Sequence, residues 1–500
     1  MTVALLALAL LLQTPARPDT VRPAPPVAGM TEEKPVLTKH QITIGKGPNA
    51  RTLAYTVTTG RMPLRNDKGE IEGQIFYMAY TLDGVTDRSK RPLMFSFNGG
   101  PGSASVWLHL GALGPRRVKM DDEGWLPPAP YQLVDNDQTW LEFTDLVFID
   151  PVGTGFSRAA TTDLGKKFWS LKGDVASVGE FIRLYLTRGE RWTSPLYLVG
   201  ESYGTTRAAG LSGWLVDHGI ALNGVVLVST ILNFGTANWS TGNDLPYALM
   251  VPTYTATAWY HKKLPADLQN RPLREVLDES ERWVLDQYIP GLAKGDRLTA
   301  EQHRVQGDQL ARFTGLDRGF VERANQRLDL GRFESELLRD RNRAVGRLDT
   351  RFQGISAIQG SEFPDFDPSM AAIRPPYTAM FNDYVRRELG YQSDQEYYIL
   401  GGGIGARWSF DSDNEYIDVG ETLRGAFARN PHMKLFVAFG YYDAATPYFA
   451  AEYSLEHLRL DPSLKGSIKR GYYPAGHMMY IHLPSLGQLR KDVGEFVGTH

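Results

Sequence analysis

Five short apolar runs, bounded by glycine or proline residues, constrain the fold of this chain most strongly. They lie at residues 92–97, 145–149, 195–199, 224–228 and 434–439. Strands that are buried on both faces of a sheet have this continuous apolar pattern. Helical patterns lie between the runs, and in residues 171–186 the apolar side chains recur every three or four positions. The alternation predicts an α/β fold with a mostly parallel central sheet and helices on both faces.

The pattern differs in two other parts of the chain. Residues 38–82 alternate apolar and polar side chains around a turn-rich stretch, which predicts an antiparallel hairpin at a sheet edge. The strand pattern stops between about 233 and 375, where Leu and Phe recur at helical spacing. We therefore predict one core, formed by residues 36–232 and 376–500, that is interrupted by an inserted helical cap at 233–375.

Arginine is dense within the predicted cap. Residues 311–351 hold ten arginines and no lysine, together with seven acids and no strand-like run. Two interpretations are open, a binding site for a polyanion or an ion-paired helical surface, and the interleaved acids favour the second. The whole chain carries 54 Lys and Arg against 57 Asp and Glu, a net charge of -3. No nucleic-acid partner is predicted, because such a chain has no long-range field to attract one.

The chain has no cysteine, which excludes disulfides, thiolate metal sites and a catalytic cysteine. Its one long apolar run, residues 3–12, is shorter than the roughly 20 residues that span a bilayer, so no membrane anchor is predicted. With the small and proline residues that follow, it predicts a signal peptide and tether over residues 1–35, and export to the periplasm or the medium. No Lys or Arg precedes the run, and the alternative is an apolar N-terminus that packs on the domain.

Residues 200–204, Gly-Glu-Ser-Tyr-Gly, fit the pattern G-x-S-x-G. They follow the apolar run 195–199 and precede a helical pattern, which is the context that the pattern requires. A serine on a sharp strand-to-helix turn adopts strained backbone angles, and flanking glycines relieve the crowding. The turn exposes the hydroxyl of Ser202 at the carboxyl edge of the sheet, where ligands of open α/β sheets bind. Ser202 is therefore the candidate nucleophile, and an ordinary small-residue turn is the alternative.

A serine hydroxyl is a poor nucleophile unless a histidine accepts its proton and a carboxylate orients that histidine. Asp443 follows the apolar run 434–439, and His477 lies in a loop after the apolar stretch 468–473. A single histidine in such a loop is more often structural, but its position after the candidate acid favours a catalytic role. The order Ser, Asp, His is that of the α/β-hydrolase triad.

Residues 97–105, Phe-Asn-Gly-Gly-Pro-Gly-Ser-Ala-Ser, directly follow the run 92–97. Gly99 and Gly100 let main-chain N–H groups turn toward a ligand, and an α/β-hydrolase takes one oxyanion donor from such a loop. The N–H of Tyr203, after the nucleophile, would be the other donor. The alternative is an ordinary Gly/Pro turn.

Five ordered motifs together resemble the serine carboxypeptidase family, and they look closest to bacterial members without disulfides. They are NGGPG from Asn98, DPVGTGFS from Asp150, GESYG from Gly200, YDAATP around Asp443 and GHM around His477. The resemblance covers roughly residues 75–490. It implies an α/β-hydrolase fold and a serine-type carboxypeptidase, without cofactor or metal, that releases C-terminal residues from peptides through an acyl-enzyme.

The resemblance also implies individual roles. These are Ser202 as nucleophile, His477 as base and then acid, Asp443 as its orienting group, the N–H groups of Gly100 and Tyr203 as oxyanion hole, and Asn98, Gly99 and Glu201 as the site of the substrate's terminal carboxylate. Glu201 and a substrate carboxylate cannot both be ionised at hydrogen-bond distance, so one of them holds a proton. Binding should therefore favour acidic pH.

Three features depart from the family pattern. Ala112 stands before Leu-Gly-Pro where the family usually has Glu, so one partner for the substrate carboxylate is missing. Thr-Thr-Arg at 205–207 replaces Gly-His-Tyr, and disulfides are absent. Arg207 would either bind a substrate carboxylate or form a structural ion pair, and the structural ion pair is favoured. The competing activities are an esterase, an acyltransferase or a peptidase of altered end specificity on the same triad, and a non-catalytic binding scaffold is a further alternative.

Two other patterns are weaker. The glycine-rich residues 401–405 lack a following helix, so we predict a turn rather than a nucleotide loop. Asp411, Asp413 and Glu415 alternate like calcium ligands, but Tyr416 stands where a calcium loop needs glycine, which favours a solvated acidic loop. No metal spacing is found among the ten histidines.

Overall fold

The computed structural model describes residues 30–402, 404, 407–412 and 415–498. The strands are β1 Val36–Ile44, β2 Arg51–Arg65, β3 Ile71–Leu82, β4 Leu93–Phe97, β5 Arg116–Val118, β6 Leu133–Asp135, β7 Asp145–Asp150, β8 Arg158–Ala159, β9 Leu196–Ser202, β10 Gly224–Thr230, β11 Arg343–Val345, β12 Gln353–Ile355, β13 Lys434–Gly440 and β14 Ile468–Tyr473. The helices are α1 Val106–Leu108, α2 Thr162–Gly165, α3 Leu171–Arg188, α4 Tyr203–Asp217, α5 Leu245–Leu249, α6 Val251–Tyr260, α7 Ala266–Gln269, α8 Leu273–Trp283, α9 Ile289–Lys294, α10 Ala300–Thr314, α11 Arg318–Arg323, α12 Leu330–Glu336, α13 Pro368–Arg387, α14 Gly420–Arg429, α15 Tyr448–Glu456 and α16 Leu483–Gly498.

The central sheet has the strand order β1-β2-β3-β7-β4-β9-β10-β13-β14, with β8 paired to β3. Strands β7, β4, β9, β10, β13 and β14 are parallel to one another. The pairings from β1 through β3 to β7 are antiparallel. The predicted mostly parallel sheet is confirmed. Because β4, β9, β10 and β13 are adjacent, the loops after them meet at one edge of the sheet.

The parallel strands are continuously apolar because each face of the sheet covers a separate core. In β10, Val225 and Leu227 pack into one core, with side chains of α3, α4 and α14. Val226 and Val228 pack into the other core, with side chains of α13 and α16. Neighbouring residues of one strand therefore bury their side chains on opposite faces.

The N-terminal part of the sheet differs from the prediction in one respect. The predicted hairpin corresponds to β2 and β3, but β3 pairs with β7 inside the sheet, and a third strand, β1, forms the edge. The burial pattern explains the difference. All of residues 73–80 are buried, whereas β1 is buried only at Ile42 and Ile44.

Eight helices, α5 to α12, occupy residues 245–336 within the predicted cap. Two details differ from the expectation. The short hairpin of β11 and β12 begins inside the segment for which no strand was expected. The boundary predicted at residue 375 falls inside α13, because this helix continues through Pro375 and Pro376.

Acidic side chains accompany most of the arginines in residues 311–351. Six of these ten arginines form ion pairs with acids, namely Arg312, Arg318, Arg327, Arg332, Arg339 and Arg351. This supports the ion-paired surface over a site for a polyanion. Among the described residues, no helix is long and apolar enough to cross a membrane. The apolar run of the predicted signal peptide, Gly403, Gly405 and Asp413 lie outside the described residues.

A buried ion-pair network links strand ends at the edge of the sheet where the parallel strands begin. Asp145, the first residue of β7, is 2% exposed. It accepts hydrogen bonds from Arg91 Nε at 3.0 Å, from Arg191 Nη1 at 2.6 Å and from the N–H of Leu82 at 3.0 Å. Arg91 precedes β4 and Arg191 precedes β9, so one carboxylate links the ends of four adjacent strands.

Replacing Asp145 by Ala leaves two buried guanidinium groups without their carboxylate. We expect the free energy of unfolding to fall by about 3–5 kcal/mol, measured by urea denaturation. The matched control is Asp163→Ala, which breaks an exposed ion pair with Lys166 and should leave the free energy of unfolding nearly unchanged. Equal losses in the two variants would contradict the role of the network.

Candidate active site

Ser202 lies on a sharp turn between β9 and α4. Its φ of 60° and ψ of -131° place it in the left-handed region that non-glycine residues avoid. Glycines flank it because neither position has room for a side chain. A Cβ on Gly200 would lie 2.1 Å from the carbonyl oxygen of Gly204, and a Cβ on Gly204 would lie 2.9 Å from that of Phe97. The strained turn leaves Ser202 partly exposed, whereas Glu201 and Tyr203 on either side are buried.

The loop after β4 packs directly against this turn. A Cβ on Gly99 would lie 2.4 Å from the main-chain nitrogen of Tyr203, so only glycine fits there. Gly100 has a φ of +104°, a conformation that glycine adopts without strain. Neither the N–H of Gly100 nor that of Tyr203 donates to any residue that the structure describes. Two main-chain donors are thus unpaired beside Ser202.

Asp443 and His477 are joined by a hydrogen bond of 2.8 Å between Asp443 Oδ2 and His477 Nδ1. Asp443 is fully buried, and its carboxylate also accepts from the N–H groups of Ala445 and Thr446 and from the Thr446 hydroxyl. Burial opposes protonation of His477, but the Asp443 carboxylate outweighs it and raises the pKa of His477 above its usual value. The bond leaves Nε2 of His477 free to exchange a proton.

The His477 loop is fixed by main-chain contacts on both sides. The N–H of His477 donates to the carbonyl of Leu348 at 2.6 Å, and its carbonyl accepts from the Ser229 hydroxyl at 2.6 Å. Ser229 is at the end of β10, where Thr230 is in register with Ser202. The structure therefore brings Ser202, Asp443 and His477 to one edge of the sheet. Ser202 Oγ makes no hydrogen bond to any described residue, His477 included, and closing that contact requires a local adjustment.

Glu201 and Asn98 lie beside Ser202, and both are buried. Glu201 Oε2 accepts a hydrogen bond of 2.6 Å from the hydroxyl of Tyr480. Burial raises the pKa of Glu201 to about 7, against the opposing effects of His477 and of the Tyr480 hydroxyl. Asn98 Oδ1 accepts from the N–H of Leu108 at 3.1 Å, whereas its Nδ2 has no partner within the described part of the chain. The Asn98 side chain favours the ionised form of Glu201 and so opposes the effect of burial on the pKa of Glu201.

Arg207 is 1% exposed and forms a structural ion pair, the favoured one of the two predicted roles. Its Nε donates to Asp174 Oδ2 at 2.8 Å, and its Nη1 donates to the carbonyl of Asn98 at 2.7 Å. The Tyr203 hydroxyl donates to the same Asp174 oxygen at 2.9 Å. The guanidinium therefore ties α3, α4 and the loop after β4 together.

The motif that begins at Asp150 supports the loop after β4. Asp150 Oδ1 accepts from the N–H and from the hydroxyl of Ser105, each at 2.8 Å. The Ser157 hydroxyl donates to the carbonyl of Asp150 at 2.5 Å and accepts from the N–H of Phe76 at 2.7 Å. Gly155 packs so closely on this carboxylate that a Cβ there would lie 1.8 Å from Asp150 Oδ2. These contacts explain why the motif carries polar and glycine residues at fixed spacing.

Several residues of the site were not predicted from the sequence. Thr446 and Ser229 hold the acid and the histidine loop, and Leu348 reaches the same loop from the inserted segment. Tyr480 lies only three residues after His477, and this short spacing could have indicated from the sequence that Tyr480 is near the site. Among the described residues, no three His, Asp or Glu side chains are grouped so that they could hold a metal ion.

Residues 53–236 match the family model described as serine carboxypeptidase. This part of the chain is similar to the serine carboxypeptidase family. The chain is 30% identical over 229 residues to the mouse retinoid-inducible serine carboxypeptidase, which is 44% of this chain and 43% of that protein. It is 33% identical over 170 residues to the pheromone-processing carboxypeptidase KEX1 of Saccharomyces cerevisiae, 32% of this chain and 22% of that protein. The matches thus span less than half the length of these relatives.

A solved structure supports the fold of the chain. The crystal structure of the prohormone-processing carboxypeptidase Kex1 from Saccharomyces cerevisiae superimposes with a TM-score of 0.55 and 16% identity. The superposition covers 89% of this chain and 91% of that one. The α/β-hydrolase fold is therefore confirmed.

Replacing Arg207 by Met tests the structural ion pair. We expect a loss of about 3–5 kcal/mol in the free energy of unfolding, because Asp174 is left buried without its cation. Turnover of small esters and of peptides with a free C-terminus should fall by the same factor, since the loop that carries Asn98 shifts for both. A selective loss for peptides, with ester turnover intact, would instead mean that Arg207 binds the substrate carboxylate. Arg183→Met, which breaks an exposed pair with Glu180, is the control.

Proposed function

We propose that this protein is a serine hydrolase that releases C-terminal residues from peptides through an acyl-enzyme. The observation that carries the proposal is the 2.8 Å hydrogen bond between Asp443 and His477 at the sheet edge where Ser202 occupies its strained turn. The matched relatives are named as carboxypeptidases, which favours peptides as substrates.

The proposed reaction uses each group in a defined step. His477 Nε2 takes the proton of Ser202 as its oxygen attacks the carbonyl carbon of the last peptide bond. The N–H groups of Gly100 and Tyr203 stabilise the negative oxygen that forms. His477 then gives the proton to the leaving amino group, the C–N bond breaks, and the C-terminal amino acid departs. Water, activated by the same imidazole, hydrolyses the ester on Ser202 and regenerates the enzyme.

Asn98, Gly99 and Glu201 form the proposed site for the terminal carboxylate of the substrate. The unpaired Nδ2 of Asn98 is a donor for one carboxylate oxygen. Glu201 donates to the other oxygen only when it carries a proton, and burial raises its pKa to about 7. Below that pH the proton is present, and above it two carboxylates would face each other. Peptide binding should therefore weaken as the pH rises above 7.

Ser202→Ala should reduce kcat for peptides by about six orders of magnitude if the triad acts as a unit. A fluorophosphonate should label the wild-type protein and not this variant, with the adduct located by mass spectrometry. Ser454→Ala, on α15, is a control that should label normally. An adduct on any residue other than Ser202, or a Ser202→Ala protein as active as the wild type, would contradict the assignment. A wild-type protein that neither turns over peptides nor reacts with the fluorophosphonate would favour the non-catalytic scaffold.

A peptide and its C-terminal amide separate carboxypeptidase activity from other activities of the same triad. We expect kcat/KM for the free acid to exceed that for the amide at pH 6, because the amide cannot share a proton with Glu201. The preference should disappear above pH 8, where Glu201 is ionised. Equal cleavage of both peptides at every pH would favour the second candidate, an esterase, an acyltransferase or a peptidase of altered end specificity. Ala112, which removes one carboxylate partner, is the residue that supports this alternative.

Export of the enzyme to the periplasm or the medium is part of the proposal, and so is the division into a core and an inserted cap. The apolar run at residues 3–12 and the absence of cysteine from the sequence are compatible with such a location. The hydrogen bond from the N–H of His477 to the carbonyl of Leu348 supports a cap that contributes to the proposed substrate site.

A further inference from the structure

Tyr480 contacts the acid that lies beside the nucleophile. Its hydroxyl donates to Glu201 Oε2 at 2.6 Å, and the two residues are 1% and 3% exposed. Tyr480 belongs to a short helical turn, Met479–Ile481, directly after the His477 loop. The phenol therefore reaches the proposed carboxylate site from the same loop that supplies the histidine.

The Tyr480 ring packs against Gly111, where a side chain would not fit. A Cβ on Gly111 would lie 2.4 Å from Cε2 of Tyr480 and 2.7 Å from the hydroxyl oxygen of Tyr377. Ala112, the next residue, is fully buried and stands where the family usually has Glu. The chain thus lacks a carboxyl group in this segment and has a phenol packed against it, bonded to Glu201.

We propose that Tyr480 is a positioning residue that replaces the missing acid as the partner of Glu201, and that it sets the upper pH at which peptides with a free C-terminus bind. This inference rests on the proposed function, because it assumes that Glu201 shares a proton with the substrate carboxylate.

A phenol and a carboxyl group act differently as partners. Burial raises the pKa of Tyr480 well above its usual value, so its hydroxyl remains a donor throughout the working range of the enzyme. A hydrogen bond donated to a carboxylate stabilises the ionised form. Tyr480 therefore counteracts the burial that raises the pKa of Glu201, and it lowers the pH at which Glu201 loses the proton needed by the substrate.

The other titratable and charged groups near this pair are few. His477 and Asp443 act on Glu201 from the loops after β14 and β13, and Tyr377 faces it from α13. Arg117, Asp121 and Asp122 line a cavity of about 20 Å³ behind Tyr480 and Tyr377. Asn98 and Tyr480 are uncharged groups that favour the ionised form of Glu201, and the Tyr480 hydroxyl can be removed without changing a charge.

The test is the pH dependence of KM and kcat for a peptide with a free C-terminus, measured for the wild type and for Tyr480→Phe. Without the phenol, the ionised form of Glu201 is less stable, so the pH at which KM begins to rise should move up by about one unit. At pH values above that limit, KM of the variant should be about tenfold lower than that of the wild type.

Two further variants make the result specific. Tyr448→Phe removes a buried phenol–glutamate hydrogen bond of the same length, 2.6 Å to Glu281, and should leave the pH limit unchanged. In a Glu201→Gln background, Tyr480→Phe should produce no shift, because the titrating group is gone. The variants should remain folded, as judged by circular dichroism and fluorophosphonate labelling.

The possible outcomes separate this inference from the proposed function. An unchanged or lowered pH limit in Tyr480→Phe, or equal losses of kcat for peptide, amide and ester, would overturn the role of Tyr480 while leaving the carboxypeptidase intact. A shift that persists in the Glu201→Gln background would also overturn it. If the wild-type enzyme cleaves the peptide and its C-terminal amide equally at every pH, the proposed function is overturned, and this inference with it.

Discussion

The close contact between the loop after β4 and the first turn of α4 determines the geometry around Ser202. The contact has no space for a side chain at Gly99, Gly200 or Gly204, and it brings the main chain of Gly99 against the nitrogen of Tyr203. Arg207 holds the two segments together by donating to the carbonyl of Asn98 while paired with the buried Asp174. Since the turn at Ser202 is strained, these contacts supply the stabilisation that keeps it in place.

Much of the fold could be predicted because the sheet is buried on both faces. Continuous apolar runs identify parallel strands, and each run at 145–149, 224–228 and 434–439 lies within one strand of the structure. The first strand, β1, was harder to separate from its neighbour, since an edge strand buries few side chains and shows only alternation. The boundary predicted at residue 375 was wrong, because α13 continues through Pro375 and Pro376.

The site was predictable where chemistry fixes the spacing within a short segment. Gly200, Ser202 and Gly204 are required by one turn, and Asn98, Gly99 and Gly100 by one loop. Contacts between distant segments leave no such signal. The bond between Tyr480 and Glu201 joins residues 279 positions apart, and the bond between Arg207 and Asp174 joins residues 33 apart. Arg207 was therefore compatible with two roles in the sequence, and its buried ion pair with Asp174 favours the structural one.

The exchange of a carboxyl group for a phenol also changes the charge that the site must hold. Glu201, Asp443 and His477 are all buried at one sheet edge, and in the proposed function a substrate carboxylate would add a further negative charge there. A glutamate at position 112 would bring a third acid into this region, and burying each extra charge is costly unless it is paired or protonated. Tyr480 donates a hydrogen bond to Glu201 without adding a charge below its own raised pKa. Because the phenol donor does not titrate in the working range, the shared proton is carried by Glu201 and the substrate alone. Affinity for the terminal carboxylate then follows the protonation of a single enzyme acid, which simplifies its dependence on pH.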